Sequence, residues 1–581
     1  MKAAAGRWLV PDLCMHPIAA RRCLVRNPLS GAAAELSSGE YAVLATCQGC
    51  RTLDEHEARA AAQLSAPREH RSAIRELLER CALKGLLITV SELVSRLGAP
   101  SDARAVPLGG VVVRTADRPA LLARLLASAA ALEARAGEKR CWIVIDDSRD
   151  PASERANRTT IDEAKSIEVE HYDRAAAASV EDELRAEFPG AAREIAWLLA
   201  SGTVGEATYG RPLNHALLHL AGRAFVSIDD DVVLDALRAP LSEPGFDVSD
   251  APDETIWYES EQALFAQCPR SELDPIAEHA RWLGLPMANA WALAESQFGT
   301  LAAIELPASQ ALRFAPEARV LFTHNHACGD PGSTVLPLQL LTLPARSQRW
   351  LVENPGAAAY AFGARIGWRG QTRLRLTPRR LLTLTTIAGM DNSQLLPPTA
   401  RAYRSEDLLL GTVAQWTHRY AWQVDLPFGV PHLREPAKRW AATNDRVAPE
   451  PLPFLLEYLE RRETALVGAD PEQRLAAAGG LLLDLAAASD ATLCELAIEH
   501  TEEAASGVLF SIREQLDNDA LPAGWKKSLA AWLESPAFAL DAASLRARAP
   551  APQAIRALAD AYGRSLLVWP QLWKFCRERS Q

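Results

Sequence analysis

Between about residues 108 and 234 the chain switches repeatedly from one hydrophobic period to another, and this constrains the fold more than any other feature. GGVVVRT, CWIVIDD, IEVEHYD and FVSIDDD are short apolar runs rich in β-branched residues. Between them lie DRPALLARLLASAAALEAR, with Pro119 in its first turn, and helical stretches near 153–165, 174–200 and 211–221. Alternation of this kind implies βαβ crossovers, and so an α/β fold with a mostly parallel sheet covered by helices. Such sheets bind ligands beyond the carboxyl ends of their strands.

Three of the runs end in polar groups suited to a ligand: Arg114 and Thr115, then Asp146 and Asp147, then Asp229, Asp230 and Asp231. Asp is common in turns, so no single one of these ends carries much weight. Together they place charge around one crevice. Three adjacent carboxylates repel each other, and burial raises the cost, so a bound cation is the first candidate to compensate them. Asp229 and Asp231 bracket one residue and can jointly hold Mg²⁺ or Mn²⁺, which prefers oxygen ligands and leaves positions open for substrate phosphates. A cation there would also stabilise a phosphate leaving group.

The chain has 581 residues, enough for two to four domains. A formal net charge of −11 argues against a general nucleic-acid binder. The N-terminus lacks a signal-like apolar region, and no stretch approaches the ~20 apolar residues that span a bilayer. We therefore expect a cytoplasmic protein without a transmembrane segment. Ten scattered cysteines make no disulfide framework. Cys47 and Cys50 form a CxxC, but no second pair sits at zinc-finger spacing, and small residues near a helix end are the simpler reading.

Residues 1–100 read as three helices closed by the strand-like LLITV, a small winged-helix-like module in which Ser37 or Ser38 caps the first helix. From about 446 to 581 the sequence is Ala/Leu-rich with helical spacing and reads as a helical C-terminal domain. Its apolar faces are core on this reading; the alternative is a helix lying peripherally on a membrane. THNHACGDPG puts His324 and His326 on one face of a strand near Asp330, an acceptor contact or polar turn. Arg434, Lys438 and Arg439 read as a solvated basic face.

VVVRTADRP, WIVIDDS and GRPLNHALLHLAGRAFVSIDDDV, in that order, resemble the nucleotide-binding half of GT-A glycosyltransferases of the family 2 type. The resemblance implies a GT-A fold over 108–445, with a large acceptor-side insertion at about 236–395, and a nucleotide-sugar donor. It directs Arg114, Thr115, Asp146 and Asp147 towards the nucleoside, includes Asn214 among the donor-binding residues, and directs Asp229 and Asp231 to metal and diphosphate, with Asp230 orienting the pair. It further implies an acceptor-side acid in RSEDLLLGT: Asp407 first, Glu406 second, as the base that deprotonates an acceptor hydroxyl. Capping a helix start is the competing role for these acids. His432 then becomes a third metal ligand. About 170 residues separate Asp231 from Glu406, more than such enzymes often show.

NPLSG, GEYAVL, CQGCRTLDEH and LLERCALKGLLI in the first 100 residues loosely resemble PqqD-like modules that hold precursor peptides. The implied function is a metal-dependent, inverting transfer of a sugar from a nucleotide-diphosphate sugar to a saccharide, lipid-linked glycan or peptide hydroxyl, with the base on the face opposite the leaving diphosphate. Sugar nucleotidyltransferases share a similar sheet but carry a glycine-rich loop after the first strand, and RTADRPALL has no glycine. The remaining alternative is an inactive GT-A-like scaffold whose N-terminal module binds a peptide.

Overall fold

The computed structural model describes residues 6–202, 208–330, 338–362, 366–379, 381–382, 386–433, 449–462 and 468–579. Val111, Val112 and Val113 are all buried in the strand Leu108–Thr115, because helices cover the sheet from both sides. Beside it run Cys141–Asp146 and then Glu168–Tyr172 on one flank and Ala224–Asp229 on the other, all parallel. The connecting helices are Pro119–Ala136, Pro151–Glu163, Arg174–Glu187, Ala192–Leu199 and Arg211–His219. Pro119 and Pro151 occupy first turns, where a missing N–H costs nothing.

Beyond Ala224–Asp229 the sheet becomes mixed. Ile387–Asp391 inserts antiparallel, Arg319–Gly329 pairs antiparallel with it, and Ala421–His432 lies parallel to Arg319–Gly329. Leu374–Thr377, Phe246–Ser249 and Leu301–Glu305 extend the path to a far edge, giving thirteen strands with those paired at its side. Residues 236–395 thus supply strands to the same sheet. The α/β architecture is as expected, with an unbroken run of parallel neighbours in the 108–229 half and parallel and antiparallel pairings mixed in the other.

Register decides what meets at the strand ends. Asp229 stands opposite Arg114, and Thr115 opposite Asp146. Further along, His432 pairs with Gly329 and bridges to Val232, bringing the end of a late strand beside the aspartates.

The N-terminal 100 residues hold a three-stranded meander, Cys14–Ala19, Arg22–Arg26 and Ala33–Ser37, ahead of the helices Ser38–Thr46, Leu53–Gln63 and Arg71–Leu83. Ser37 with Glu40, Thr52 with Glu55, and Thr89 with Glu92 each form a reciprocal capping box. The strand-like LLITV contributes only Ile88–Thr89, since Thr89 then starts the helix Val90–Ser95.

The helices Pro451–Glu460, Pro471–Ala487 and Pro552–Arg579 pack on one face of the sheet. Leu455, Leu482, Tyr562 and Trp569 share a core with Val112, Phe225, Phe322 and Met390. Pro471–Ala487 and Pro552–Arg579 cross closely because Gly479 and Gly563 carry no side chain: a Cβ on either would lie 2.7 or 2.9 Å from the other's carbonyl oxygen. Leu9, Ile88 and Leu93 of the N-terminal region pack with Val111, Trp142 and Val226 on the opposite face. Among the described residues no helix is long and apolar enough to cross a membrane.

Candidate active site

The turn after Ala224–Asp229 is held from several sides. Leu433 N–H donates to the Asp231 carbonyl at 3.1 Å, and Val233 N–H to that of Pro431 at 3.0 Å. Arg124, on the helix after the first strand, donates to the carbonyls of Asp231 (3.0 Å) and Leu433 (2.7 Å). These bonds fix the backbone, and with it the directions in which three carboxylates leave it.

Asp229 points to the mouth of the site, its side chain 36% exposed, and meets the Arg114 guanidinium at 2.5 Å. Asp230 turns inward, where the Thr115 hydroxyl donates to it at 2.8 Å and Arg118 at 3.0 Å. Burial pushes its carboxyl up to about 6 against the pull of Arg118, with Asp231 adding to the rise. Asp231 is buried, with Arg118 3.5 Å away and His432 Nε2 2.8 Å from its Oδ1.

His432 is oriented through its other nitrogen, Nδ1, which bonds the Asp330 carbonyl. Burial opposes its protonation, but Asp231 and that carbonyl outweigh burial and raise it above the ordinary histidine value. Asp229, Asp231 and His432 each offer a ligand atom, all within 4.8 Å of one another. Two carboxylates and an oriented imidazole suit a hard to borderline divalent cation such as Mn²⁺ or Mg²⁺.

Glu406 and Asp407 open the helix Glu406–Thr417. The two residues before it that strain the backbone, Tyr403 at φ 83° and Ser405 at φ 71°, both lie in the left-handed region. The second arm of Arg114 reaches Glu406 Oε1 at 3.7 Å, so one guanidinium stands between Asp229 and the acid pair. Burial raises both carboxyls above their ordinary range; for Glu406 the neighbouring Asp407 adds to this, and Arg114 opposes it for both. Asp407 also accepts the Leu408 N–H at 2.9 Å, a bond that favours its ionised form.

The other expected donor residues are tied into the protein. Asp147 forms a buried pair with Arg211 at 2.6 Å and accepts from the Thr208 hydroxyl at 2.5 Å. Asp146 receives Asn157 at 3.0 Å, the Ser148 N–H at 2.9 Å and His171 at 3.3 Å; burial raises its carboxyl, but these bonds together hold it below the ordinary range. Asn214 donates to the carbonyls of Leu198 and Thr399 and accepts the Thr399 N–H at 2.8 Å. The Thr399 hydroxyl in turn donates to the Glu406 carbonyl at 2.5 Å, so Asn214 supports the acid pair through the backbone.

His324 lies elsewhere, fully buried 3.5 Å from Asp425 in an interior network with Arg375 and Asp253. Asp330 reaches the site by its carbonyl. The His326 side chain, Arg434, Lys438 and Arg439 lie outside the described residues. Cys47 and Cys50 are buried apart from the aspartates, lining a groove of about 680 Å³ between the N-terminal helices and residues 304–309. Arg118, Arg124 and the Asp330 carbonyl were not legible as site groups. Arg118 stands four residues past Arg114 in RTADRP, and this was the available signal.

Comparison with protein-family models, curated proteins and solved structures finds no match to this chain.

Proposed function

We propose that the protein is a divalent-metal-dependent glycosyltransferase that moves a sugar from a nucleoside diphosphate sugar to a hydroxyl acceptor with inversion. One observation carries the reading: a metal-competent Asp229, Asp231 and His432 set lies across a single arginine from a half-buried acid pair, although about 170 residues separate the two aspartates from that pair in sequence. The parallel order of the 108–229 strands, with polar groups at their carboxyl ends, supports it further.

Asp229, Asp231 and His432 would hold Mn²⁺ or Mg²⁺, which when bound supplies Lewis-acid stabilisation of the leaving diphosphate. Asp407, with Glu406 as the second candidate, takes the proton of the acceptor hydroxyl as the acceptor oxygen bonds the sugar C1 and the C1–O bond to diphosphate breaks. The raised carboxyls suit this work, because a base near the working pH both accepts and releases a proton readily. Arg114 lies where it can offset negative charge between the two groups.

Purified protein offered a panel of nucleotide sugars with Mn²⁺ should release nucleotide from at least one donor. Asp231→Asn should lower that release by about 100-fold or more. The groove beside the N-terminal helices favours a second reading, a scaffold that binds a peptide without turnover. On that reading the wild type releases no nucleotide and binds no Mn²⁺, and Asp231→Asn keeps partner binding intact.

A further inference from the structure

Asp229 is the one aspartate of the trio that opens to solvent, and a guanidinium already sits on it. Arg114 is only 10% exposed, and strand register sets its backbone directly opposite Asp229, so the arginine cannot withdraw far. A divalent cation on Asp229 would stand beside that guanidinium, and two cations on one carboxylate repel strongly where solvent screening is weak. The same side chain has another destination within reach, since its second arm already faces Glu406 at 3.7 Å. A guanidinium keeps its charge in proteins, so the group stays a cation in either place.

Resting on the reading of Asp229, Asp231 and His432 as a cation site, we infer that Arg114 is a built-in counter-cation, a positioning residue that yields Asp229 to the metal and transfers its pairing to Glu406 and Asp407. The chain thereby links occupancy of the donor side to the charge environment of the acid pair. With Arg114 on Asp229, the acids share its charge with that carboxylate. Once Asp229 is taken, the arm that held it is released towards them. Arg118, 41% exposed and paired with Asp230 and Asp231, does not reach either acid by any ion pair among the described residues.

The test is Mn²⁺ binding to the metal-free protein, measured by calorimetry and by the loss of the free Mn²⁺ electron paramagnetic resonance signal. Arg114→Gln removes the competitor, so it should bind Mn²⁺ about tenfold more tightly than wild type. Glu406→Gln removes the alternative partner, so it should bind about fivefold more weakly. An arginine that merely shapes the pocket would weaken binding when replaced and would be indifferent to Glu406. Unchanged or weaker binding by a folded Arg114→Gln overturns the inference and leaves the cation site standing. If Arg114→Gln does not fold, Glu406→Gln decides alone, and unchanged affinity there overturns it. Absence of Mn²⁺ binding in wild type sinks both the inference and the reading beneath it.

Discussion

Arg211 and Asp147 form an ion pair whose side chains are 1% and 4% exposed, and this makes each dependent on the other. Asp147 looked like a ligand contact in sequence because it ends a strand; its partner Arg211 lies 64 residues later, where helical patterning suggests only a covered face. Replacing Arg211 with Leu strands a buried carboxylate and should cost about 3–5 kcal/mol of stability, read from a shift in the urea unfolding midpoint. A loss below ~1 kcal/mol would show that Asp147 is solvated or otherwise compensated. The aspartate trio was legible because charge at the end of an apolar run is anomalous by itself. Arg118 and Arg124 were not, because arginines on a helix face are ordinary until register aims them at a carbonyl or carboxylate.

At the scale of elements, the C-terminal helix Pro552–Arg579 does more than cover the sheet. Trp573 donates to Asn392 at 3.0 Å, Trp569 to the Leu396 carbonyl at 2.7 Å, and Tyr562 to the Pro398 carbonyl at 2.8 Å. One helix thus clamps the segment that leads through Thr399 to Glu406. Trp569→Phe keeps an aromatic ring but leaves a buried carbonyl without that donor, and should cost about 1–3 kcal/mol. Hydrogen exchange at the backbone amides of 396–410 should rise selectively. Equal protection there in variant and wild type would remove the clamp from the account. The period of 552–579 marked it as a helix with buried tryptophans, yet indole N–H partners depend on what lies across the interface. Among short strands, Cys14–Ala19 escaped sequence reading because every residue in it is exposed and no alternation survives.

At the scale of the whole molecule, buried histidines set its response to acid. His215 and His279 are fully buried, and burial, with the help of Arg211 for His215 and His324 for His279, lowers both to about 3. The unfolded chain takes up protons at these residues below pH 6.5, while the folded chain refuses them until about 3. Their contribution is therefore present in full above pH 6.5 and is lost as pH falls through that window. At pH 5 the loss is roughly 2 kcal/mol for each. Asp230, raised to about 6, works in the opposite direction, so the clean comparison is between wild type and His215→Gln. The drop in unfolding free energy from pH 7.5 to 5.0 should be smaller in the variant by about 2 kcal/mol, and an identical drop would contradict the neutral, buried state of His215.

By itself the sequence determined the alternation of strand and helix from 108 to 234, the polar strand ends and the helical C-terminal region. Those are short-range properties: hydrophobic period, β-branching and the anomaly of clustered charge are all visible in a window of a few residues. Only the tertiary structure decided that the sheet turns mixed after Asp229, that His432 stands on Asp231, and that one arginine separates the metal-competent set from Glu406. Each of these depends on strand order and register between segments 100 to 300 residues apart. Pairing over such distances leaves no local pattern, because any β-branched run offers the same backbone donors and acceptors to whichever neighbour the fold brings alongside.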